Sequence, residues 1–262
     1  MGIAVITGAG SGIGAGLARL AVRRGMTVVL ADRDEAGLQA VAAELGAAAH
    51  CVPTDVADPA ALEKLADTAF ALGEVDLLFN NAGVLSTGLS WEIPVEVWQA
   101  SLNVNIAGIV NGLRAFVPRL NAAGRPARII NTASVGGFLP SPFMAPYSAT
   151  KFAVVALTEA LAGELAALGS PVAVSLLAPG PVKTGIFREP PMDASRPFHD
   201  AMTAMLDQYG LSADALAEIV FAGIDRGDYW IIPQPETLDA DLQKRTAGIL
   251  AREAPSFYST GE

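Results

Sequence analysis

Short apolar segments alternate along the chain with stretches of helix-forming residues, and this alternation limits the folds that the sequence can adopt. The segments are rich in Val, Ile and Leu and lie at Ile3–Thr7, Thr27–Ala31, Val75–Phe79, Arg128–Thr132 and Val172–Leu177. Strands separated by helices predict a parallel sheet with crossover helices. Because segments this apolar must be buried on both faces, the sequence predicts a Rossmann-like, doubly wound α/β fold, a three-layer α/β/α sandwich.

The rest of the chain continues this pattern without a linker. A weaker strand is predicted at His50–Val52 and a last one at Tyr229–Pro233, followed by a helix-forming tail at Glu236–Arg252. A cluster of prolines marks a lid-like loop near residues 180–200. We therefore expect one domain over residues 1–262, with a substrate loop near 180–200 and a C-terminal tail from about 234.

Composition narrows the class of partner. The 262 residues carry a net charge of −10, so no basic excess exists to neutralise a nucleic acid or an anionic membrane. The sequence has one cysteine and two histidines, too few of the usual ligands to favour a zinc site. The uncharged segment Met1 to Ala18 lacks the basic start of a signal peptide. We expect a cytoplasmic protein that binds a small molecule, with no nucleic acid, membrane or metal.

A glycine-rich loop follows the first strand. It runs Thr7-Gly8-Ala9-Gly10-Ser11-Gly12-Ile13-Gly14 and leads into a predicted helix from Ala15 to Arg24. Glycines let the backbone approach a pyrophosphate, whose charge is favoured at a helix N-terminus. The spacing differs from the common dinucleotide fingerprint, and such loops also serve as plain turns.

The end of the second strand bears on the choice of cofactor. A carboxylate at Asp32 can accept hydrogen bonds from both hydroxyls of an adenosine ribose and would repel a 2′-phosphate. Arg33 favours NADP instead, because a guanidinium at this position accommodates the 2′-phosphate of NADP. We weigh Asp32 more heavily and expect NAD, with NADP the less favoured cofactor. Asp32 could also simply cap the next helix.

These motifs resemble the short-chain dehydrogenase/reductase family from Ile3 to about Thr184. The glycine loop matches the family's TGxxxGIG pattern. Further matches to cofactor-contacting segments are Asp55-Val56, Asn80-Asn81-Ala82-Gly83, and Pro179, Gly180, Val182 and Thr184 near the nicotinamide. The resemblance implies a set of cofactor contacts, which are Gly8, Ser11, Gly12, Ile13, Gly14, Asp32, Arg33, Asp55, Val56, Asn81, Ala82, Gly83, Tyr147, Lys151, Pro179, Gly180, Val182 and Thr184.

A catalytic set follows from the same resemblance. Ser134 precedes Tyr147 by 13 residues, the family's usual separation, and Tyr147-Ser148-Ala149-Thr150-Lys151 matches its catalytic helix. On a helix Tyr147 and Lys151 share a face, and a nearby cation favours the ionised form of a phenol whose ordinary pKa is about 10. The family's mechanism implies Tyr147 as general acid/base and Ser134 as donor to the substrate oxygen. Lys151 would hold the nicotinamide ribose, with Asn105 positioning a water beside it.

The expected activity is NAD(H)-dependent interconversion of a secondary alcohol and a ketone. Apolar residues near the motifs favour an apolar or aromatic substrate, although they could equally be core: Leu85, Trp91, Phe138, Leu139, Phe143, Met144, Ile186 and Phe187. The tail at Tyr229–Glu236 resembles a branch of the family that includes aryl-alcohol Cα-dehydrogenases. Two alternatives stay open: a non-catalytic dinucleotide-sensing protein, and an epimerase or dehydratase of the same family.

The resemblance also implies an assembly. Family members form homodimers or homotetramers through two long helices, which here correspond to about Val95–Leu120 and Ala145–Leu168. The alanines of the second helix would permit close helix contact, and a buried intramolecular face would look the same.

Overall fold

The apolar segments form one parallel sheet in the computed structural model, which describes residues 2–255 and 257. Its order is β3-β2-β1-β4-β5-β6-β7, and every adjacent pair is parallel. The strands are β1 Ile3–Thr7, β2 Thr27–Asp32, β3 Ala49–Pro53, β4 Val75–Asn80, β5 Ala127–Thr132, β6 Val172–Leu177 and β7 Trp230–Ile231. The order reverses at β1, since β2 and β4 lie on its two sides.

Helices cover both faces of this sheet. They are α1 Gly12–Arg23, α2 Glu35–Leu45, α3 Pro59–Leu72, α4 Val95–Leu102, α5 Gly108–Ala123, α6 Ala145–Ala167, α7 Arg196–Tyr209, α8 Ala213–Arg226 and α9 Asp239–Ala251. None of the helices within the described residues is long and apolar enough to cross a membrane.

Two apolar cores explain why the strands are buried on both sides. One core packs α1, α2 and α8 against alternate strand residues such as Ile6 and Leu30. The other packs α3, α5 and α6 against the opposite set, which includes Val5 and Val29. Successive strand residues point to opposite faces, so each strand contributes to both cores. The predicted three-layer, doubly wound fold is confirmed.

Element boundaries differ from the predictions at a few places. β7 has two residues instead of five, because it is an edge strand followed by Pro233, which has no N–H to donate to a ladder. Helix α1 begins at Gly12, three residues before the predicted start. A π turn at Asn103–Ala107 separates α4 from α5 within the predicted helix Val95–Leu120.

The proline-rich segment is partly helical. Short 3-10 turns occur at Gly185–Phe187 and Asp193–Ser195, and α7 begins at Arg196, inside the range predicted as loop. Pro197 lies in the first turn of α7, where its missing N–H costs nothing. A proline at a helix start resembles loop composition, which is why the sequence concealed this helix.

The close packing of α1 on α8 yields a stability prediction. A Cβ at Gly16 would lie 2.6 Å from the carbonyl oxygen of Ala213, so Gly16→Ala should force the two helices apart. We expect a loss of about 1–3 kcal/mol in the free energy of unfolding. Gly163→Ala on α6 is the matched control, because nothing lies within 4 Å of its Cβ position.

Denaturant unfolding of both variants tests this prediction. Gly163→Ala should be stabilising by about 0.5–1 kcal/mol, since alanine is the better helix former. Equal stability of the two variants would contradict a tight α1–α8 contact.

Candidate active site

A cavity of about 360 Å³ opens at the carboxyl ends of the strands, where the order of the sheet reverses. Much of its lining comes from residues at or just after the ends of six strands, β1 to β6. Open α/β sheets bind ligands at such a reversal, because neighbouring connections leave toward opposite faces and leave a crevice between them. The volume is that of a small-molecule site.

The glycine loop forms one wall through its backbone. Gly8 and Gly12 have φ values of +68° and +51°, which L side chains rarely adopt. A Cβ on Gly14 would overlap the carbonyl oxygen of Gly8. The Ser11 side chain makes no capping hydrogen bond at the start of α1, so the first N–H groups of this helix are free for an anion. The loop therefore fits a pyrophosphate.

Thr7 fastens this loop to the segment after β4. Its Oγ1 accepts hydrogen bonds from the N–H groups of Asn81 (2.9 Å) and Ala82 (3.1 Å) and donates to the carbonyl of Phe79. The amide of Asn81 also donates to the Thr7 carbonyl at 3.0 Å. The sequence indicates Thr7 only as the first residue of the glycine-loop motif, and its function as a brace is visible only in the structure.

Asp32 is held at the end of β2 by two backbone donors. Its Oδ2 accepts from the N–H of Gly10 and its Oδ1 from the N–H of Asp34, both at 3.0 Å. The reading of Asp32 as cap of the next helix is wrong, because Asp34 is the N-cap of α2 and accepts from Gly37. Arg33 lines the cavity beside Asp32.

Three polar side chains meet on the other side of the cavity. Ser134 follows β5, and Tyr147 and Lys151 lie one turn apart near the start of α6. All three line the cavity, and the Lys151 Nζ lies 5.6 Å from the centre of the Tyr147 ring. The Ser134 Oγ accepts from the N–H of Gly136 at 3.1 Å. A substrate oxygen placed here would meet a hydroxyl and a phenol together.

Burial changes the proton affinity of these groups. It raises the pKa of the Tyr147 phenol, and a hydrogen bond with Ser134 lowers that pKa in part. It lowers the pKa of the Lys151 ammonium to about 8. Lys151 donates to the carbonyl oxygen of Thr132 at 2.8 Å. The predicted effect of Lys151 on the pKa of Tyr147 stays a prediction, and the side chain that lowers this pKa in the structure is Ser134.

Asn105 lies in the π turn and is 1% exposed. Its Oδ1 accepts from the N–H of Val84 at 2.8 Å, and its Nδ2 donates to the Val84 carbonyl and to Thr150 Oγ1. This amide therefore links the segment after β4 to α6. Thr150 is a partner that the sequence alone does not indicate, because no local pattern links it to Asn105, 45 residues earlier in the chain.

The segment after β6 is supported by the C-terminal tail. Pro179, Gly180, Val182 and Thr184 line the cavity. Gln234 donates to the carbonyl of Pro181 at 3.0 Å. A Cβ at Gly180 would lie 2.6 Å from Thr237 Oγ1, so this close approach requires glycine. The tail thus fixes the backbone that borders the expected nicotinamide position.

Most, but not all, of the predicted cofactor contacts line the cavity. Those that do are Gly8, Ser11, Gly12, Ile13, Asp32, Arg33, Asp55, Val56, Asn81, Ala82, Gly83, Tyr147, Lys151, Pro179, Gly180, Val182 and Thr184. Gly14 does not, and neither does Asn105 of the predicted catalytic set. Within residues 2–255 and Phe257, no group of histidine, cysteine and carboxylate side chains is arranged to hold a metal ion.

The expected substrate wall is partly different from the prediction. Leu85, Leu139, Met144, Ile186 and Phe187 line the cavity. Trp91 does not and is 79% exposed, while Phe138 packs against Trp230 and Phe143 against Phe198. Side chains that sequence analysis missed complete this wall: Ser141, Arg188, Met202, Met205 and Leu206. Three of these lie on α7, the helix concealed by the proline-rich composition.

Comparison with known proteins agrees with this geometry. The family model for short chain dehydrogenases matches residues 2–194. The chain is 46% identical over 187 residues to 1-deoxy-11-beta-hydroxypentalenate dehydrogenase from Streptomyces exfoliatus, covering 69% of this chain and 67% of that one. It is 33% identical over 267 residues to a C alpha-dehydrogenase from Sphingobium, covering 97% and 87%.

A solved structure matches nearly the whole chain. A short chain dehydrogenase/reductase from Burkholderia phymatum, solved in complex with NAD, superimposes with a TM-score of 0.94 at 36% identity and covers 99% of this chain and 98% of that one. The chain belongs to the short chain dehydrogenase family and is an oxidoreductase. The predicted resemblance to Cα-dehydrogenases is confirmed.

The burial of Lys151 yields a pH-dependent prediction. The folded state holds this ammonium with a pKa near 8, below its unfolded value, so the unfolded chain binds more protons between about pH 8 and 10.5. The destabilisation is therefore full below pH 8 and disappears as pH rises. Relative to the parent, Lys151→Met should gain most stability at pH 7. This gain in the free energy of unfolding should shrink by on the order of 2 kcal/mol by pH 10.

Urea unfolding of the cofactor-free protein at pH 7 and pH 10 measures this difference. Lys64→Met is the control, because it removes an exposed charge that water already solvates. A gap between Lys151→Met and the parent that is constant over this range would show that the buried amine does not destabilise the fold.

Proposed function

We propose that the protein interconverts a secondary alcohol and a ketone with NAD(H), Tyr147 exchanging the proton at the substrate oxygen. One observation supports this above the others: Tyr147, Ser134 and Lys151 line the same cavity as the glycine loop. A proton-transfer group and a dinucleotide site are the two parts that such a reaction needs. A dinucleotide sensor would have no use for the first.

In this proposal each side chain acts on a defined atom. The Tyr147 oxygen takes the hydroxyl proton in oxidation and returns it to the carbonyl oxygen in reduction. Ser134 donates to the same substrate oxygen and stabilises the charge that develops there. Lys151, held by the Thr132 carbonyl, binds a ribose hydroxyl of the cofactor. The nicotinamide, when bound, supplies or accepts the hydride.

Asn105 contributes through the backbone that it fixes. Both of its polar groups are engaged with Val84, and Nδ2 also bonds Thr150. It would keep Gly83 and α6 at a constant separation. Because Gly83 is a predicted cofactor contact and Tyr147 lies on α6, the cofactor would then lie at a constant distance from Tyr147. A Cβ on Gly83 would lie 3.6 Å from the Lys151 Nζ, so this spacing is narrow. The water that the family resemblance assigns to Asn105 stays a prediction.

We further propose NAD as the favoured cofactor. The Asp32 carboxylate is fixed by Gly10 and Asp34 at the cavity wall, where it would meet the adenosine ribose. The structural relative from Burkholderia phymatum holds NAD. Assembly into a homodimer or homotetramer and a cytoplasmic location also stay predictions.

The proton-transfer role is tested by Tyr147→Phe. The phenyl ring keeps its packing but has no proton to exchange, so kcat should fall by at least about a hundredfold while NADH affinity is nearly unchanged. NADH absorbance during ketone reduction and NADH fluorescence titration give the two readings.

Tyr229→Phe is the matched control. The Tyr229 hydroxyl is buried without a hydrogen-bond partner among the described residues, and burial raises its pKa to about 12. Its removal should leave kcat near the parent value. Full activity of Tyr147→Phe would refute the assignment of Tyr147, and tight NADH binding without turnover in the parent would favour a sensor.

The cofactor choice is tested by Asp32→Asn. This change removes the charge and retains one oxygen to accept from Gly10 or Asp34. Because a carboxylate near a 2′-phosphate is repulsive, the ratio of kcat/KM for NADP over NAD should rise at least about tenfold. Adding Arg33→Ala should reverse much of that gain. A parent enzyme that already prefers NADP would show the interpretation of Asp32 to be wrong.

A further inference from the structure

Arg188 is an exposed cation of the cavity lining that has no partner among the described residues. It lines the cavity directly after Ile186 and Phe187. Within residues 2–255 and Phe257, its guanidinium makes no hydrogen bond or ion pair, and the adjacent Glu189 does not pair with it. Guanidinium groups carry five donors and are always charged, so this one is available to a ligand.

Within the described residues, seven of the 13 arginines of the chain make an ion pair with a carboxylate, and Arg188 is not among them. The protein has 27 acidic against 17 basic residues, and carboxylates are close to most of its arginines. Ion pairs to acidic side chains are made by Arg19, Arg23, Arg24, Arg119, Arg125, Arg196 and Arg226. The two arginines that line the cavity, Arg33 and Arg188, have none. Arg33 lies at the adenosine end, beside Asp32.

The segment that carries Arg188 is fixed in position. The His199 ring on α7 makes a hydrogen bond of 2.9 Å to the carbonyl of Phe187. It also contacts the Phe187 ring edge to face, with 5.6 Å between the ring centres. The N–H of Arg188 donates to the carbonyl of Gly185. The Arg188 Cδ would lie 3.8 Å from a Cβ on Gly185, so its stem packs along this turn. The guanidinium is therefore presented by an ordered backbone.

Apolar residues share the cavity lining with Arg188 on the expected substrate side. They include Leu139, Ile186, Met202, Met205 and Leu206. In the described cavity lining, the segments after β5 and β6 contribute two charged side chains, Lys151 and Arg188. Lys151 is bonded to Thr132, so Arg188 is the one that remains for a ligand. A ligand with an apolar body would place a single anionic group here.

We propose that the substrate of this enzyme is an apolar hydroxy or keto acid whose carboxylate is bound by Arg188. The inference rests on the proposed function, since it places the alcohol or ketone at Tyr147 and the acid at the opposite part of the wall. Arginine and carboxylate form paired, charge-assisted hydrogen bonds, which orient a substrate as well as attract it. The apolar body would lie against the methionines, whose flexible side chains adapt to its shape.

A second anion could be the target of Arg188. The pyrophosphate of the cofactor lies in the same cavity in the proposed complex, and the Thr184 side chain that precedes this turn is close to Gly12. The free N–H groups of α1 already provide for that anion. Arg188 directly follows the cavity-lining residues Ile186 and Phe187 of the expected substrate wall, and we therefore assign it to the substrate.

The experiment compares keto acids with their methyl esters. The probes are para-acetylbenzoate and a mid-chain keto derivative of octadecanoate, each beside its ester, so that size is matched and charge differs. Reduction rates with NADH give kcat/KM for the parent, Arg188→Met and Arg188→Lys. Arg196→Met is the control, because it removes the same charge from the same segment at a residue outside the cavity lining.

The parent and the Arg196→Met control should prefer at least one acid over its ester by about tenfold, as expected for a charge-assisted pair. Arg188→Met should reduce this ratio to near one, mainly through KM, and Arg188→Lys should retain part of it. Equal use of acid and ester by the parent would overturn the proposal. A weaker NADH affinity in Arg188→Met with an unchanged acid to ester ratio would overturn it in favour of the pyrophosphate.

A binding measurement separates this inference from the proposed reaction. The Tyr147→Phe protein with NADH keeps the cavity, and calorimetric titration with each acid and ester measures affinity without turnover. Tighter binding of an acid that is lost in the double variant with Arg188→Met supports the carboxylate site even if no probe is reduced. Acids that bind no better than their esters would reject the site while leaving the redox proposal intact.

Discussion

The reversal of strand order at β1 is the constraint on which the rest of the structure depends. Because β2 and β4 flank β1, the helices that follow β1 and β4 pack on opposite faces of the sheet. The two connections cannot close over the same strand ends, and a crevice stays open between them. The cavity, the glycine loop and the three polar side chains at Ser134, Tyr147 and Lys151 all occupy this place. The order of the apolar strands therefore determines the position of the cavity, whichever polar residues line it.

Polar groups at this crevice are stabilised by fixed backbone rather than by opposite charges. Lys151 is 4% exposed and its ammonium donates to the Thr132 carbonyl, and no carboxylate in the described part of the chain bonds to it. Asp32 is bonded by two N–H groups, and Asn105 spans the backbone of Val84 and the side chain of Thr150. Burial without a counterion costs stability and shifts pKa values toward the neutral forms. The fold tolerates that cost where a cation and a phenol are needed side by side.

Most of the residues predicted for the cofactor half of the site do line the cavity, because each carries a signal that is local in the sequence. A glycine in a left-handed conformation, a carboxylate at a strand end and a tyrosine one turn before a lysine are each readable over a few residues. The substrate half was predicted less well. Trp91 and Phe143 stand close to motifs in sequence but pack elsewhere, whereas Met202 and Met205 reach the cavity from a helix more than fifty residues after Tyr147. Contacts of this kind follow from tertiary packing, which local patterns do not encode.

The two halves also differ in what change they can accept. Gly8, Gly14 and Gly180 lie where a single added carbon would meet backbone or a buried side chain, so the cofactor wall has little freedom. The substrate wall rests on one short segment and on α7, joined to the body by contacts such as Ser195 with Thr87 and His199 with Phe187. Side chains on that wall can change without moving a strand end. This separation explains how relatives named for hydroxypentalenate and for Cα oxidation share one framework. The substrate of this chain therefore depends on its own wall, where Arg188, which has no ion pair or side-chain hydrogen bond within residues 2–255 and Phe257, is the feature that apolar packing does not account for.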